Sequence, residues 1–260
     1  MYDLTQSYES WSEVPLDDLG YYSAHDIMIL SHVQRMDLLR MAMENRWNLC
    51  GWRNRDNSLV EFMQPERWAG KHVMDFGCGF GLDGIRFGAA GAQVTLADIN
   101  PRNLNLAQQN AGALGVFADA KIVSTLWPFF VLDKPVDLFW SMGVLHHFPY
   151  ASAVLKQAVD SLSPTGECRI LLYSDRRWVD MMGEPPPENT ETHPRFAEYV
   201  RKCDSVGHYA DWYDEPKVNA LVAGFGRVES VCYLCDNQMI GAVIKAEPAN
   251  SSTQAVGERA

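Results

Sequence analysis

The chain has 260 residues, of which 47% are hydrophobic and 21% are charged, and its formal net charge is −11 at pH 7. This length suits one large α/β domain with additions, and the composition is typical of a soluble globular protein. The acidic balance argues against DNA, RNA or an anionic membrane as a partner, because binding them requires basic residues that neutralise phosphates.

The sequence shows no targeting or membrane segment. Its N-terminus lacks the basic and apolar regions of a signal peptide, and no stretch approaches the roughly 18 apolar residues of a membrane span. The six cysteines are scattered, which is typical of a reducing compartment. We therefore expect a cytoplasmic protein with a small-molecule substrate, no nucleic-acid partner and no membrane partner. No cluster of metal ligands is evident, and the oligomeric state is left open.

Residues 1–70 precede the first predicted core strand and are rich in aromatic side chains. A helical period between His25 and Trp47 predicts a helix. We interpret residues 1–70 as a helical cap across the mouth of a binding site. In this interpretation Tyr21, Tyr22 and His25 line a substrate pocket, and Tyr22 is also a catalytic candidate. Packing of the cap onto the core explains these three side chains equally well.

A glycine-rich turn follows the first predicted strand. Asp75 ends a short apolar run, three glycines follow at every second position from Gly77, and a helical pattern begins at Leu82. Without a Cβ, these glycines let a ligand lie against the backbone, whose free N–H groups face it. The window from Gly79 to Gly84 also fits the dinucleotide pattern G-x-G-x-x-G. However, the carboxylate of Asp75 would repel a pyrophosphate and suits a cation.

The second predicted strand, residues 93–98, also ends in an acidic residue. The carboxylate of Asp98 can accept hydrogen bonds from both hydroxyls of a ribose, and the helix that follows begins near Pro101. NAD enzymes use the same position, so Asp98 indicates a nucleoside without naming it. Capping of the next helix is the structural alternative, although Asn100 could serve as that cap. We place the third strand at residues 120–124.

The fourth predicted strand leads into Val144-Leu145-His146-His147-Phe148. Asp75-Phe76-Gly77-Cys78-Gly79-Phe80-Gly81 resembles the first motif of class I S-adenosyl-L-methionine (SAM)-dependent methyltransferases, and the fourth strand with V-L-H-H-F resembles their fourth motif. Two predicted strands at residues 227–233 and 239–245 form an antiparallel hairpin that resembles the last two strands of that fold.

The resemblance covers about residues 71–246 and implies an α/β fold. The expected architecture is a doubly wound, seven-stranded, mainly parallel sheet with a terminal antiparallel hairpin, the Rossmann-like methyltransferase fold, behind the helical N-terminal cap. Residues 71–246 would form the SAM-binding core. Residues 174–216 would add an insertion to the cap, and residues 247–260 would form a disordered tail.

The resemblance also implies the cofactor SAM, with S-adenosyl-L-homocysteine as its product. By this resemblance Asp75 and the glycine turn hold the amino-acid end, and Asp98 holds the ribose. The family's adenine contact, usually acidic, follows the third strand; here that position falls near Thr125 and Leu126, or Asp119 fills the role. The expected cofactor-binding residues are Asp75, Gly77, Cys78, Gly79, Asp98, Ile99, Thr125, Leu126 and Ser141.

The acceptor side of the site is predicted from residues that follow the fourth and fifth strands, because strand carboxyl ends face the ligand in open α/β sheets. His146 or His147 could take a proton from a hydroxyl or amine, or both could be structural. Arg176 and Arg177 could bind a carboxylate or phosphate of the substrate. Tyr209 belongs to an aromatic cluster that would form another wall of the pocket.

The sequence therefore predicts a SAM-dependent methyltransferase that methylates a nitrogen or oxygen of a small molecule, with an anionic metabolite favoured if the arginines face the pocket. Two alternatives stay open. An NAD(P)-dependent oxidoreductase is supported by the G-x-G-x-x-G window, and a non-catalytic SAM-binding protein would keep the glycine turn without an acceptor pocket. The identity of the acceptor is not specified.

Overall fold

A seven-stranded sheet forms the centre of the computed structural model, which describes residues 24–47, 53–203 and 209–247. Its strands are β1 (His72–Phe76), β2 (Gln93–Asp98), β3 (Ala118–Ile122), β4 (Val136–Met142), β5 (Leu162–Tyr173), β6 (Gly226–Leu234) and β7 (Met239–Ala246). The strand order is β3-β2-β1-β4-β5-β7-β6, and β7 runs antiparallel to β5 and β6. The predicted mainly parallel sheet with a terminal antiparallel hairpin is confirmed.

Helices cover both faces of this sheet. Two single-turn 3-10 helices, Pro65–Trp68 and Leu145–His147, precede β1 and follow β4. The α-helices in the described ranges are α1 (Ala24–Met28), α2 (His32–Trp47), α3 (Ser58–Met63), α4 (Leu82–Ala89), α5 (Pro101–Ala113), α6 (Ala151–Asp160), α7 (Asp175–Met182), α8 (Phe196–Cys203) and α9 (Glu215–Val222).

Two hydrophobic cores enclose β1, all five residues of which are buried. Val73 packs into the cluster that α3, α4 and α5 contribute to, whereas Met74 packs into the cluster that includes α6 and α9. Because successive side chains of a strand point to opposite sides, these clusters lie on opposite faces of the sheet. The end of β1, where the glycine turn begins, is therefore held from both sides.

The first two helices pack over the glycine turn. Ile27 of α1 and Leu39 of α2 are fully buried in a cluster with Phe80 of the turn and Leu106 of α5. The predicted single helix from His25 to Trp47 is interrupted before α2. A capping box explains the restart, since the backbone N–H of Ser31 donates to Oε1 of Gln34 and Ser31 Oγ accepts from the Gln34 N–H.

The long strand β5 contains a bulge, since Val136 pairs with Leu162 but Leu138 pairs with Glu167. The helix α7, in the predicted insertion, was not predicted from the sequence. Ser174 caps this helix, because its Oγ accepts a hydrogen bond from the Arg177 N–H at 3.0 Å.

Gly77 brings the loops after β1 and β4 together, and its replacement tests that contact. Its φ is +75°, and a Cβ there would lie 2.2 Å from Cγ2 of Val144. Left-handed strain and overpacking should make Gly77→Ala lower the free energy of unfolding by about 2–4 kcal/mol. The measurement is urea unfolding.

Gly143→Ala is the matched control for this prediction. Gly143 has a similar φ of +76°, but no described atom lies within 4 Å of a Cβ added there. Gly143→Ala should therefore lower the free energy of unfolding only by the left-handed strain, about 1–2 kcal/mol. Equal losses in the two variants would contradict the close approach of Val144 to Gly77.

Candidate functional site

The glycine turn, residues 77–81, is held to β2 by its backbone. The N–H groups of Gly77 and Cys78 both donate to the carbonyl of Ala97, at 2.8 and 3.0 Å. Gly77, Gly79 and Gly81 all have positive φ, which residues with a Cβ rarely adopt. The three evenly spaced glycines are therefore required by the shape of the turn.

Asp98 lies at the end of β2, directly beside this turn. Its Oδ2 accepts a hydrogen bond from the Gly79 N–H at 2.8 Å, and its Oδ1 accepts from the Asn100 N–H at 2.8 Å. The side chain is 5% exposed, and burial raises the pKa of the carboxyl. Asn100 caps α5 by accepting from the Arg102 N–H at 2.9 Å. Helix capping therefore belongs to Asn100, and Asp98 belongs to the glycine turn.

Asp75 lies at the base of the turn. Its Oδ2 accepts a hydrogen bond from the N–H of Gly84, in the first turn of α4, at 2.8 Å. Burial, reinforced by the nearby carboxylate of Asp83, raises the pKa of Asp75 well above its ordinary value. A buried carboxylate of this kind is stabilised in its ionised form by a nearby cation. Asp75 and Asp98 thus make the turn favourable for a positively charged ligand.

Asp83, the second residue of α4, forms a salt bridge with α2. Nε and Nη2 of Arg46 donate to its Oδ1 and Oδ2 at 2.6 and 2.8 Å. Nε1 of Trp140, in β4, also donates to Oδ2, at 2.8 Å. Neither Arg46 nor Asp83 was predicted from the sequence as a site residue. The available signal was an acidic residue inside the glycine window, but its partner lies 37 positions away.

Three further predicted cofactor residues lie at or next to these strand ends. Cys78 is buried, and burial raises the pKa of its thiol well above the ordinary value. Ile99 is partly buried against the core beside β2. Ser141, near the end of β4, is 1% exposed, and its Oγ has no hydrogen-bond partner among the described residues. Ser141 therefore offers a buried hydroxyl that a ligand can satisfy.

The predicted adenine contacts lie in the loop after β3. Thr125 is half-buried, and Leu126 is 69% exposed. The alternative, Asp119, pairs with Thr95 three residues before the end of β3, which favours Thr125 and Leu126 instead. At about 3.3 Å per residue, Asp119 is about 10 Å from the edge where the turn lies. Thr125 and Leu126 stay predictions.

The two histidines after β4 are buried and hydrogen-bonded in opposite senses. Nδ1 of His146 accepts from the backbone N–H of Tyr173 at 3.1 Å, so the neutral ring carries its proton on Nε2. Nδ1 of His147 lies 2.9 Å from the carbonyl of Tyr209, to which it can only donate. In neutral His147 the lone pair is then on Nε2. His147 is thus the ring that can accept a proton at Nε2, whereas His146 can donate one.

The histidines adjoin an aromatic and cationic cluster. The His146 ring stacks on Tyr173 with centroids 3.5 Å apart, and Cζ of Arg177 lies 4.2 Å from the Tyr173 centroid. Burial, with added repulsion from His147 and Arg177, lowers the pKa of His146 well below its ordinary value. Nε2 of His146 has no hydrogen-bond partner in the described part of the chain.

The structure separates the predicted substrate residues. Arg177 and Tyr209 lie beside the histidines, as described above. Arg176 instead lies on the β6–β7 hairpin, where it donates to Asn237 Oδ1 and its Cζ is 3.7 Å from the ring centroid of Tyr233. The other three lie outside what is described: Tyr21, Tyr22 and the side chain of His25.

Residues 24–47, 53–203 and 209–247 were also compared with the requirements of a metal site and of a membrane-spanning helix, and they meet neither. No group of three or more His, Cys, Asp and Glu side chains in these ranges is arranged to hold a metal ion. None of the helices in the same ranges combines the length and the apolar character needed to cross a bilayer.

Burial of His146 should make folding stability depend on pH. Its folded pKa lies below the unfolded value of about 6.5. As pH falls below about 6.5, the unfolded chain therefore binds a proton that the folded chain does not, and the free energy of unfolding decreases by up to about 1.4 kcal/mol per pH unit. His146→Gln should remove this part of the slope and leave that of His72, whose pKa burial also lowers.

Urea unfolding between pH 8 and 5.5 measures this slope. The difference in free energy of unfolding between the two proteins should be nearly constant at the alkaline end. It should change below pH 6.5, where the original chain loses stability more steeply than the variant. A variant that loses stability as steeply as the original chain would show that His146 is not the buried neutral group described here.

Known proteins resemble this chain in sequence over part of its length. Residues 74–168 match the family model described as a methyltransferase domain. Ubiquinone biosynthesis O-methyltransferase of Idiomarina loihiensis is 30% identical over 149 residues, covering 53% of this chain and 61% of that protein. Calmodulin-lysine N-methyltransferase of Arabidopsis thaliana is 34% identical over 84 residues, covering 28% and 27%. The chain thus spans less than two thirds of the length of the curated relatives it matches.

The fold has solved counterparts. Magnesium protoporphyrin IX methyltransferase from Synechocystis PCC 6803, solved with bound S-adenosyl-L-homocysteine, has a TM-score of 0.58 at 15% identity and covers 94% of this chain and 100% of that one. The domain match and the antiparallel strand β7 favour methyl transfer over the oxidoreductase alternative. Residues 74–168 thus match a methyltransferase domain, and the sheet has the Rossmann-like fold of the methyltransferases among its structural neighbours.

Proposed function

We propose that this chain is an enzyme that transfers the methyl group of SAM to a nitrogen or oxygen of a small molecule. One observation carries the proposal: Asp75 and Asp98 are buried beside a turn of three glycines with positive φ. Such a site combines backbone N–H donors, room for a ligand against the backbone, and negative charge that suits a sulfonium or ammonium group.

The residues present fit SAM. The carboxylate of Asp98 would hold the ribose, the glycine turn and Asp75 would hold the amino-acid end, and Ser141 Oγ would gain the partner that it lacks among the described residues. When bound, SAM supplies a methyl group that its sulfonium already makes reactive. The protein then has to align the acceptor and keep water away, which can account for most of a rate increase.

The acceptor side is proposed from the residues around the two histidines. His147 would take the proton from a hydroxyl or amine acceptor through Nε2, and His146 would donate a hydrogen bond to it. Aromatic side chains of the insertion, Trp178, Tyr199 and Trp212, are buried close by. Residues 1–70 and 174–216 would form the two parts of a cap, which favours a small molecule over a polymer.

Neither the acceptor atom nor the partners are fixed by the relatives, whose names include both an O- and an N-methyltransferase. The cytoplasmic location and the absence of nucleic-acid and membrane partners stay predictions, as do the tail at residues 247–260 and the catalytic role of Tyr22.

Incubation with methyl-labelled SAM and a panel of phenols, benzoates and primary amines tests the proposal. Label should pass to at least one acceptor class, and S-adenosyl-L-homocysteine should form in equal amount. Asp98→Ala should weaken SAM binding about tenfold or more, because charge-assisted hydrogen bonds are lost. Asp133→Ala, which removes an exposed carboxylate between β3 and β4, is the matched control. SAM binding without transfer to any acceptor would support the non-catalytic alternative instead.

An anionic acceptor would be bound by Arg177, not by Arg176. With a benzoate acceptor, Arg177→Ala should therefore raise KM about tenfold, the effect of losing one charge-assisted interaction. Arg176→Ala removes the same charge one residue earlier, on the hairpin side, and should leave KM unchanged. Steady-state kinetics at saturating SAM separates the two. Similar effects of both variants, or no effect of Arg177→Ala, would contradict this assignment.

A further inference from the structure

The salt bridge between Arg46 and Asp83 is buried and fully satisfied. The Arg46 and Asp83 side chains are 11% and 5% exposed. The guanidinium donates to both carboxylate oxygens of Asp83. Trp140 adds a third hydrogen bond to this carboxylate, at Oδ2. Bidentate pairs of this kind are strong and fix the relative orientation of both side chains. The pair therefore has the geometry of a positioning contact rather than of a solvated surface ion pair.

The pair joins two helices that both pack against Phe80 of the glycine turn. Arg46 lies in the last turn of α2, in the cap, and Asp83 lies in the first turn of α4, just after the glycine turn. Nη2 of Arg46 is also 3.5 Å from Sδ of Met142, the last residue of β4. Loss of either charged partner would leave the other buried and uncompensated, which is strongly unfavourable.

The pair also controls the charge next to Asp75. The residue after Asp83 is Gly84, whose N–H binds the Asp75 carboxylate. Besides burial, charged groups on three other elements act on the pKa of Asp75. Asp83 of α4 and Asp98 of β2 raise it, and Arg46 of α2 lowers it. Cys78 of the turn is a buried thiol nearby, and burial raises its pKa. Without Arg46, the uncompensated charge of Asp83 would favour protonation of Asp75.

We propose that Arg46 is a positioning residue of the cofactor site. Through Asp83 it fixes the cap helix α2 on the first turn of α4, and it cancels the charge of Asp83 so that Asp75 and Asp98 set the charge that the cofactor meets. The inference rests on the proposed use of SAM, but neither Arg46 nor Asp83 is required to contact the cofactor.

A double-mutant cycle tests the inference. The dissociation constant of SAM is measured by calorimetry from pH 6 to 8.5 for the full chain and for Arg46→Gln, Asp83→Asn and the double variant. Each single variant should weaken SAM binding about tenfold or more, and Arg46→Gln should lose more affinity at pH 6 than at pH 8.5. The double variant, in which two neutral amides replace the ion pair, should bind SAM within about threefold of the original chain.

Two further variants keep the result interpretable. Arg46→Lys retains the charge and should bind SAM better than Arg46→Gln, which covers the case in which Arg46→Gln does not fold. Arg40→Gln removes an exposed arginine of the same helix that pairs only with its neighbour Asp37 among the described contacts, and it should leave SAM binding unchanged.

The outcomes separate this inference from the proposed function. A double variant as weak as Arg46→Gln would mean that Arg46 acts on SAM directly, and unchanged binding by Arg46→Gln would mean that it has no role; either result overturns the inference. Absence of SAM binding by the original chain would overturn the proposed function and the cofactor role of Arg46 together. Urea unfolding of the same four proteins would then still show whether the Arg46–Asp83 coupling exists.

Discussion

Three carboxylates, Asp75, Asp83 and Asp98, are buried where β1 and β2 end, and the arrangement of the site depends on how each is stabilised. A buried charge is tolerated only when hydrogen bonds or opposite charges replace its hydration. Asp98 and Asp75 receive backbone N–H groups from the glycine turn and from α4, and Asp83 receives Arg46. The turn, the first turn of α4 and the helix α2 are therefore fixed relative to one another by the same requirement.

The loop after β4, which carries the two histidines, is fixed by a second set of contacts, to the segment after α8. The N–H of Asp211 donates to the carbonyl of His146 at 2.9 Å, and the carbonyl of Tyr209 lies beside Nδ1 of His147. Asp211 is itself held by Lys217 of α9 at 2.8 Å. The Tyr209 carbonyl at Nδ1 of His147 and the Tyr173 N–H at Nδ1 of His146 determine which nitrogen of each ring carries the proton, and hence which chemistry each ring can support.

Much of the fold was predictable because its signals are local. Evenly spaced glycines after an apolar strand identified the turn, and the alternation of strand and helix patterns identified the sheet. Long-range pairs were not predictable: nothing near Asp83 in the sequence indicates Arg46. Nor could the sequence tell Arg176 from Arg177, because only the start of α7 decides their directions. Neighbouring residues of a helix point about 100° apart, so Arg176 lies over Tyr233 of the hairpin, whereas Arg177 lies over Tyr173, the residue that stacks on His146.

The central claim, that the glycine turn with Asp75 and Asp98 binds SAM, is tested most directly by calorimetric titration of the full chain with SAM, S-adenosyl-L-homocysteine, NADH and NADPH. The account predicts a single site for SAM and for S-adenosyl-L-homocysteine, with dissociation constants in the micromolar range or tighter. A micromolar constant corresponds to a binding free energy of about −8 kcal/mol. It predicts no binding of either nicotinamide cofactor. Binding of NADH or NADPH, or no binding of SAM, would contradict the assignment of the turn.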